Sequence, residues 1–189
     1  MGQVIVGTTM SLDGFINDRS GSVAALYPNL EELRKSEMLQ ESMRSTGAAV
    51  MGRVTFDMAQ GDFTDYEYQV PIFVLTHHPP AEITRGQNDR LTITFVSDGI
   101  ESAVAQAKSA AGDRDVTIVG GASTARQCIK AGLADVLEIS IVPILLGNGL
   151  RFFDNGSFDG IKLEQERILE SPGRIDLRFR ISKKGDDQK

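Results

Sequence analysis

Val50-Met51-Gly52-Arg53-Val54-Thr55-Phe56 and Val116-Thr117-Ile118-Val119-Gly120-Gly121-Ala122-Ser123-Thr124 share one design. Each is a short apolar run, then glycine, then residues suited to open a helix. A run this short, rich in β-branched residues and closed by glycine, reads as a buried strand. A strand that passes through a glycine turn into a helix, twice in one chain, reads as an α/β protein with a mostly parallel sheet.

The flanking sequence extends the pattern in both directions. Residues 4–8 form a β-branched strand, followed by a turn at Asp13-Gly14. Residues 29–44 predict one helix, capped by Asn29 and favoured by Glu31 and Glu32 in its first turn. Short buried strands are expected at 48–51 and 71–76, the second stopped by Pro79 and Pro80. An alternating strand over 91–96 leads to a helix through Ala111, capped by Ser97 or Asp98, with Ile100, Val104 and Ala107 inward. A strand at 116–119 is followed by a helix over 122–131, closed by Gly132, and then by a strand at 136–142. Residues 136–146 are apolar enough for either core or a sheet-edge interface. Strands at 163–169 and 174–181 flank Ser171-Pro172-Gly173, the signal of an antiparallel C-terminal hairpin.

Composition sets the limits. The chain has 189 residues, 41% hydrophobic and 24% charged. That suits a single globular domain over 1–182, with a polar tail over 183–189. A net charge of −6 without a basic run gives a nucleic-acid partner little electrostatic support. The one cysteine, Cys128, excludes an internal disulfide and reads as a small core residue. With no leader and no apolar run of membrane-spanning length, the chain is expected in the cytoplasm, without a membrane partner. Asn155-Gly156-Ser157 reads as a turn.

The glycine turns also carry chemistry. Ligands of open α/β sheets sit at the carboxyl ends of strands. Gly52 lacks the Cβ that would hold a phosphate off the backbone, and the new helix offers free N–H groups. Arg53 adds a charged fork and Thr55 a hydroxyl. Gly120, Gly121, Ala122, Ser123 and Thr124 repeat the arrangement, so the two turns together suit the two ends of a pyrophosphate. Each turn taken alone is equally compatible with tight helix packing. Thr76, His77 and His78 leave another strand end. The imidazoles either flank an adenine and, with Arg53, receive a 2′-phosphate, or are exposed loop residues. No carboxylate or thiolate at suitable spacing completes a metal site around them.

With these motifs in order, the chain resembles the dihydrofolate reductase-like superfamily. Residues 51–56 and 120–124 look like its two phosphate turns. Met10-Ser11-Leu12-Asp13-Gly14-Phe15-Ile16 and Pro143-Ile144-Leu145-Leu146-Gly147-Asn148-Gly149 are closer to the C-terminal reductase domain of riboflavin-biosynthesis proteins. The resemblance implies a three-layer α/β/α fold, NADPH as hydride donor, and a homodimer. By position it assigns Gly52, Arg53, Val54 and Thr55 to phosphates, Thr76, His77 and His78 to the adenosine end, and Gly120 to Thr124 to the pyrophosphate and nicotinamide. It also implies a cis bond between the paired glycines. The carboxylate that dihydrofolate reductases place on the first helix has Glu37 as its nearest counterpart, with Glu41 one turn later. Asp13, which follows the first strand, is either a second catalytic candidate or a turn-former. Phe15, Phe56 and Phe63 are either apolar walls for a substrate or plain core.

These readings point to an NADPH-dependent reductase of a small heterocycle, pterin-like or pyrimidine ribosylamine-like. A non-catalytic NADP(H)-binding protein is the alternative, and an α/β domain without a nucleotide the third. Arg19 and Lys35 are the basic residues nearest the first loop that a ribitol phosphate would require.

Overall fold

The computed structural model describes residues 2–81, 84–153 and 158–182. The Asn155-Gly156-Ser157 turn and the tail over 183–189 lie outside the described residues. Along the chain run β1 (Val4–Ser11), α1 (Leu30–Lys35), α2 (Glu37–Ser45), β2 (Thr46–Gly52), α3 (Arg53–Met58), β3 (Ile72–Leu75) and β4 (Ile93–Val96). There follow α4 (Ile100–Ala111), β5 (Asp115–Ile118), α5 (Ala122–Lys130), β6 (Val136–Val142), β7 (Lys162–Ser171) and β8 (Arg174–Ser182). Two compact units are formed, Met1–Val6 with Ser42–Ala134, and Gly7–Glu41 with Asp135–Lys189. Strand β1 contributes its first half to one and its second half to the other. The strand order is β4-β3-β2-β5-β1 in the first unit and β6-β8-β7 in the second, parallel and antiparallel parts of the expected mixed α/β architecture.

In the first unit β3 pairs with β4, β2 with β3 and β5, and β5 with β1, all in parallel. All seven residues of β2 are buried, as a central strand of a covered parallel sheet requires. Its one hydroxyl, on Thr46, is satisfied by the Ser42 carbonyl at 2.6 Å and the Thr117 hydroxyl at 2.6 Å. Helix α4 packs on β2, β3 and β5 through Ile100, Ala103, Val104, Ala107 and Ala111, a helical stripe. Its N-cap is Gly99 at φ 106° rather than Ser97 or Asp98, because the chain enters the helix through a conformation that glycine tolerates. Cys128 is buried, as expected of a small core residue.

In the second unit β8 lies between β6 and β7 and pairs antiparallel with both. The hairpin turns at Pro172-Gly173, with Gly173 at φ 76°. The helix expected over 29–44 is broken. Ser36 is extended, at φ −62° and ψ 137°, and separates α1 from α2. Helix α1 buries no residue, so packing does not hold the two segments in line. Side chains satisfy the loose ends: Asn29 Oδ1 accepts from Glu32 N at 3.2 Å, and Gln40 Nε2 donates to the Arg34 carbonyl at 2.6 Å. Most of β6 is core, with Val136, Leu137, Ile139 and Val142 buried. Among the described residues, no helix is long and apolar enough to cross a membrane.

Candidate functional site

Parallel pairing of β2 with β5 puts the two glycine turns side by side. Val50 is in register with Ile118, so Gly52 and Gly120, each two residues further on, come side by side. Val119 N donates to the Val50 carbonyl at 2.9 Å, and Gly52 N to the Gly120 carbonyl at 3.4 Å. Each turn is then roofed by a threonine of the other. A Cβ built on Gly52 would lie 2.6 Å from Thr124 Oγ1, and one on Gly120 would lie 3.1 Å from Thr55 Oγ1. Gly120 and Gly121 turn the chain at φ 124° and 80°, conformations that side chains rarely adopt. No peptide bond among the described residues is cis, so the cis link that the resemblance implied is corrected: two successive positive φ angles make the turn.

Neither helix that starts here has a side-chain cap. The first intrahelical bond of α5 runs from Ala125 N to the Gly121 carbonyl at 3.0 Å, leaving the N–H groups of Ala122, Ser123 and Thr124 without an intrahelical acceptor. Uncapped amides beside two glycines and two threonine hydroxyls form a donor set that fits phosphate oxygens. Of the other expected contacts, Thr124 is buried, Ser123 is exposed, and Val54 is exposed on the outer side of α3.

The residues expected at the adenosine end are joined to this cradle by Arg53. Its Nε pairs with Asp57 at 2.7 Å, and its Nη1 donates to the His78 carbonyl. Thr76 Oγ1 accepts from His78 N at 3.2 Å and fixes the strand exit, leaving His77 and His78 exposed. Asp57 was missed, although its i,i+4 spacing from Arg53 is a readable ion-pair signal.

Asp13 lies in the second unit, where its contacts favour the structural reading over that of an acid. The carboxylate accepts from Ser11 Oγ at 2.6 Å, Leu146 N at 3.1 Å and Gly147 N at 2.7 Å. The Ser11 hydroxyl above all, then the amides of Gly147 and Leu146, lower its pKa to about 2. A carboxylate held there is ionised at neutral pH. It clasps loop 143–149 to the end of β1. Around it, Leu150 N donates to Asn17 Oδ1 at 2.8 Å, and Arg151 Nη1 to the Asp13 carbonyl at 3.0 Å. A depressed carboxylate stabilises the fold above its ordinary pKa, and that contribution is lost as pH falls through about 2. Asp13→Asn should therefore lower Tm at pH 7, with the difference from wild type vanishing as the pH approaches 2; a constant difference across that range would remove the assignment.

Glu37 is tied to Arg167 of β7 at 2.5 Å, and Arg167 also holds Glu41 at 2.7 Å. The two glutamates sit one helical turn apart on α2 and share one guanidinium, so Glu37 serves an ion-pair network. Of the two readings of Phe15, Phe56 and Phe63, the packing favours core. Phe56 and Phe63 are stacked with centroids 5.4 Å apart, and both are buried. Phe15 is buried with the Arg151 guanidinium 4.3 Å above its ring. Side chains packed in this way present core rather than an open pocket wall. Among the described residues, no group of three or more His, Cys, Asp or Glu is placed to hold a metal ion.

Comparison with known proteins follows this geometry. The family model of the RibD C-terminal domain matches residues 3–177. The uncharacterized protein YyaP of Bacillus subtilis (strain 168) is 26% identical over 160 residues, 80% of each chain. Among solved structures, a diaminohydroxyphosphoribosylaminopyrimidine deaminase/5-amino-6-(5-phosphoribosylamino)uracil reductase from Thermotoga maritima superposes with a TM-score of 0.73 at 18% identity, covering 96% of this chain and 57% of that one. A dihydrofolate reductase from Enterococcus faecalis complexed with NADP(H) gives 0.63 at 16% identity, over 96% and 98% of the two chains. At these identities the structures share a fold with this chain.

Proposed function

The chain belongs to the RibD C-terminal domain family, and on that premise we propose that it is an NADPH-dependent reductase of a small heterocyclic substrate, pterin-like or pyrimidine ribosylamine-like, working in the cytoplasm as a homodimer. The observation that carries this reading is the double glycine cradle, in which Gly52 and Gly120 lie side by side beneath uncapped helix starts. Bound there, NADPH would supply the hydride. The α5 amides and the Thr55 and Thr124 hydroxyls would bind pyrophosphate oxygens. Arg53, already oriented by Asp57 and the His78 carbonyl, would face the 2′-phosphate with His77. Such a reaction asks the protein to hold the nicotinamide against an electrophilic carbon and to exclude water.

Thermal shift with NADPH and NADH tests the cofactor side. Wild type should be stabilised more by NADPH. Arg53→Ala should bind NADPH about ten- to hundredfold more weakly, the value of one hydrogen bond to a charged group, and should leave NADH nearly unaffected. Equal stabilisation by both nucleotides, unchanged in Arg53→Ala, would count against the 2′-phosphate assignment. A non-catalytic NADP(H)-binding protein is the second reading. It is favoured by the ionised state of Asp13 and by the engagement of Glu37 in an ion pair with Arg167. It requires NADPH binding without oxidation in the presence of pterin, pyrimidine ribosylamine or flavin substrates.

A further inference from the structure

In the second unit, the registers of β6, β8 and β7 put Ser140, Asp176 and Leu169 in one row on a single face. Successive residues of a strand alternate between faces, so Val142, Arg174 and Ser171 form the next row of that face, at the hairpin end. A cleft of about 480 Å³ lies between this row and the junction of α1 with α2, where Leu33, Ser36 and Glu37 line it. Its volume is that of a site for a small molecule, and every residue lining it belongs to the second unit. The cleft accounts for the poor packing of α1. Leu33 is only half-buried over it, and the helix buries no residue at all. A helix of six residues depends on what packs beneath it, and beneath α1 that place is open.

Two polar side chains of the lining are unengaged. Ser36 is 9% exposed, yet among the described residues its hydroxyl has no hydrogen-bond partner. A hydroxyl buried to that degree ordinarily has one. Arg174 is half-buried, and among the described residues its guanidinium has neither a hydrogen bond nor an ion pair. The neighbouring charges are committed elsewhere. Glu37 pairs with Arg167, Lys35 with Glu32, and Asp176 accepts from Ser140 at 2.5 Å and Ser171 at 3.2 Å. Glu170 is in register with Ile175, on the opposite face, and marks the rim. Ser36 also opens α2. The first bond of that helix runs from Gln40 N to the Ser36 carbonyl at 3.1 Å, so the N–H groups of Met38 and Leu39 have no intrahelical acceptor.

We propose that this cleft binds a small carboxylic acid. Its carboxylate meets the Arg174 guanidinium, the Ser36 hydroxyl and the start of α2, and its apolar body lies against Leu33, Val142 and Pro172. A guanidinium fork matches a carboxylate with two parallel hydrogen bonds, and the positive end of a helix favours the same charge. A dianion suits the cleft poorly, because Glu32, Glu37 and Glu170 also line it and would repel the second charge. Apolar residues on both sides call for more than a bare anion. This site goes beyond the proposed function, since Gly52 and Gly120 of the cofactor cradle lie in the first unit.

Nitrogen–proton correlation spectra of the full chain test the site. Benzoate is the probe, benzamide its uncharged counterpart and inorganic phosphate the bare anion. Benzoate should shift the amides of Ser36, Glu37, Ser171, Gly173 and Arg174 saturably. Benzamide should bind about ten- to hundredfold more weakly, and Arg174→Gln should weaken benzoate by the same factor, the value of a hydrogen bond between charged groups. Arg174→Lys should restore part of the loss. Ser36→Ala should weaken benzoate about fivefold, the value of an ordinary hydrogen bond, and it is the second variant if Arg174→Gln does not fold by far-UV circular dichroism. The site is overturned by the lack of any saturable shift up to about 20 mM benzoate, a range that covers weak binding. Equal binding of benzamide, or unchanged benzoate binding in folded Arg174→Gln or Ser36→Ala, would overturn it as well. Phosphate that shifts the same amides as strongly as benzoate would overturn the carboxylic acid and leave an adventitious ion only.

Discussion

Gly52→Ala should destabilise the protein by about 1–3 kcal/mol, the usual cost of overpacking, and Thr124→Ala in the same chain should remove most of that loss. Gly52 sits at φ −83° and ψ 162°, a backbone conformation open to any residue, so the effect cannot arise from its dihedrals. It arises because an added Cβ would lie 2.6 Å from Thr124 Oγ1 on the neighbouring turn. NADPH binding should be lost in Gly52→Ala and should stay weak in the double variant, since the added methyl still occupies the cradle and the threonine hydroxyl is gone. The check is a double-mutant cycle by chemical denaturation, with NADPH thermal shift on the same four proteins. Additive effects on stability would mean that the two turns do not meet as described. Unchanged NADPH binding in both variants would move the cofactor away from the cradle.

Gly149→Ala should destabilise by about 3 kcal/mol or more, because a clash and a strained backbone coincide there. Gly149 has φ 145°, and its Cβ would lie 2.0 Å from the Asn17 carbonyl oxygen, a backbone atom that no rotamer change can clear. The neighbouring ties resist relief: Leu150 N donates to Asn17 Oδ1 at 2.8 Å, and Ile16 N to the Leu150 carbonyl at 2.9 Å. Loop 143–149 would have to part from the loop that follows β1, breaking the Asp13 clasp as well. Denaturant titration of Gly149→Ala beside Gly147→Ala provides the check. Gly147 also has positive φ, but nothing lies within 4 Å of its Cβ, so its cost should be smaller. Equal losses at the two positions would remove the steric part of the argument.

Local pattern revealed the central strands because burial on both faces makes them continuous apolar runs, as in β2, and β6 falls over the residues expected for it. The α2 segment carried helical spacing but not the break at Ser36, which reflects how little of α1 is buried. Phe56 and Phe63 could not be sorted into pocket or core by residue type, since an aromatic ring suits both; their mutual stacking decided it. Glu37 likewise became an ion-pair residue only when Arg167 was brought to it across 130 residues.

By itself the sequence determined the α/β class, the C-terminal hairpin and the two glycine turns. Each of these follows from contacts between near neighbours, through strand burial, turn dihedrals and helix starts. That the turns stand against each other, with Thr124 over Gly52 and Thr55 over Gly120, was decided by the parallel register of β2 with β5. The fate of Asp13 was decided in the same way. A carboxylate after the first strand reads as either an acid or a turn, and only amides 133 and 134 residues away make it an ionised clasp. Charge state depends on which donors surround a group, and for Asp13 those donors come from a distant loop.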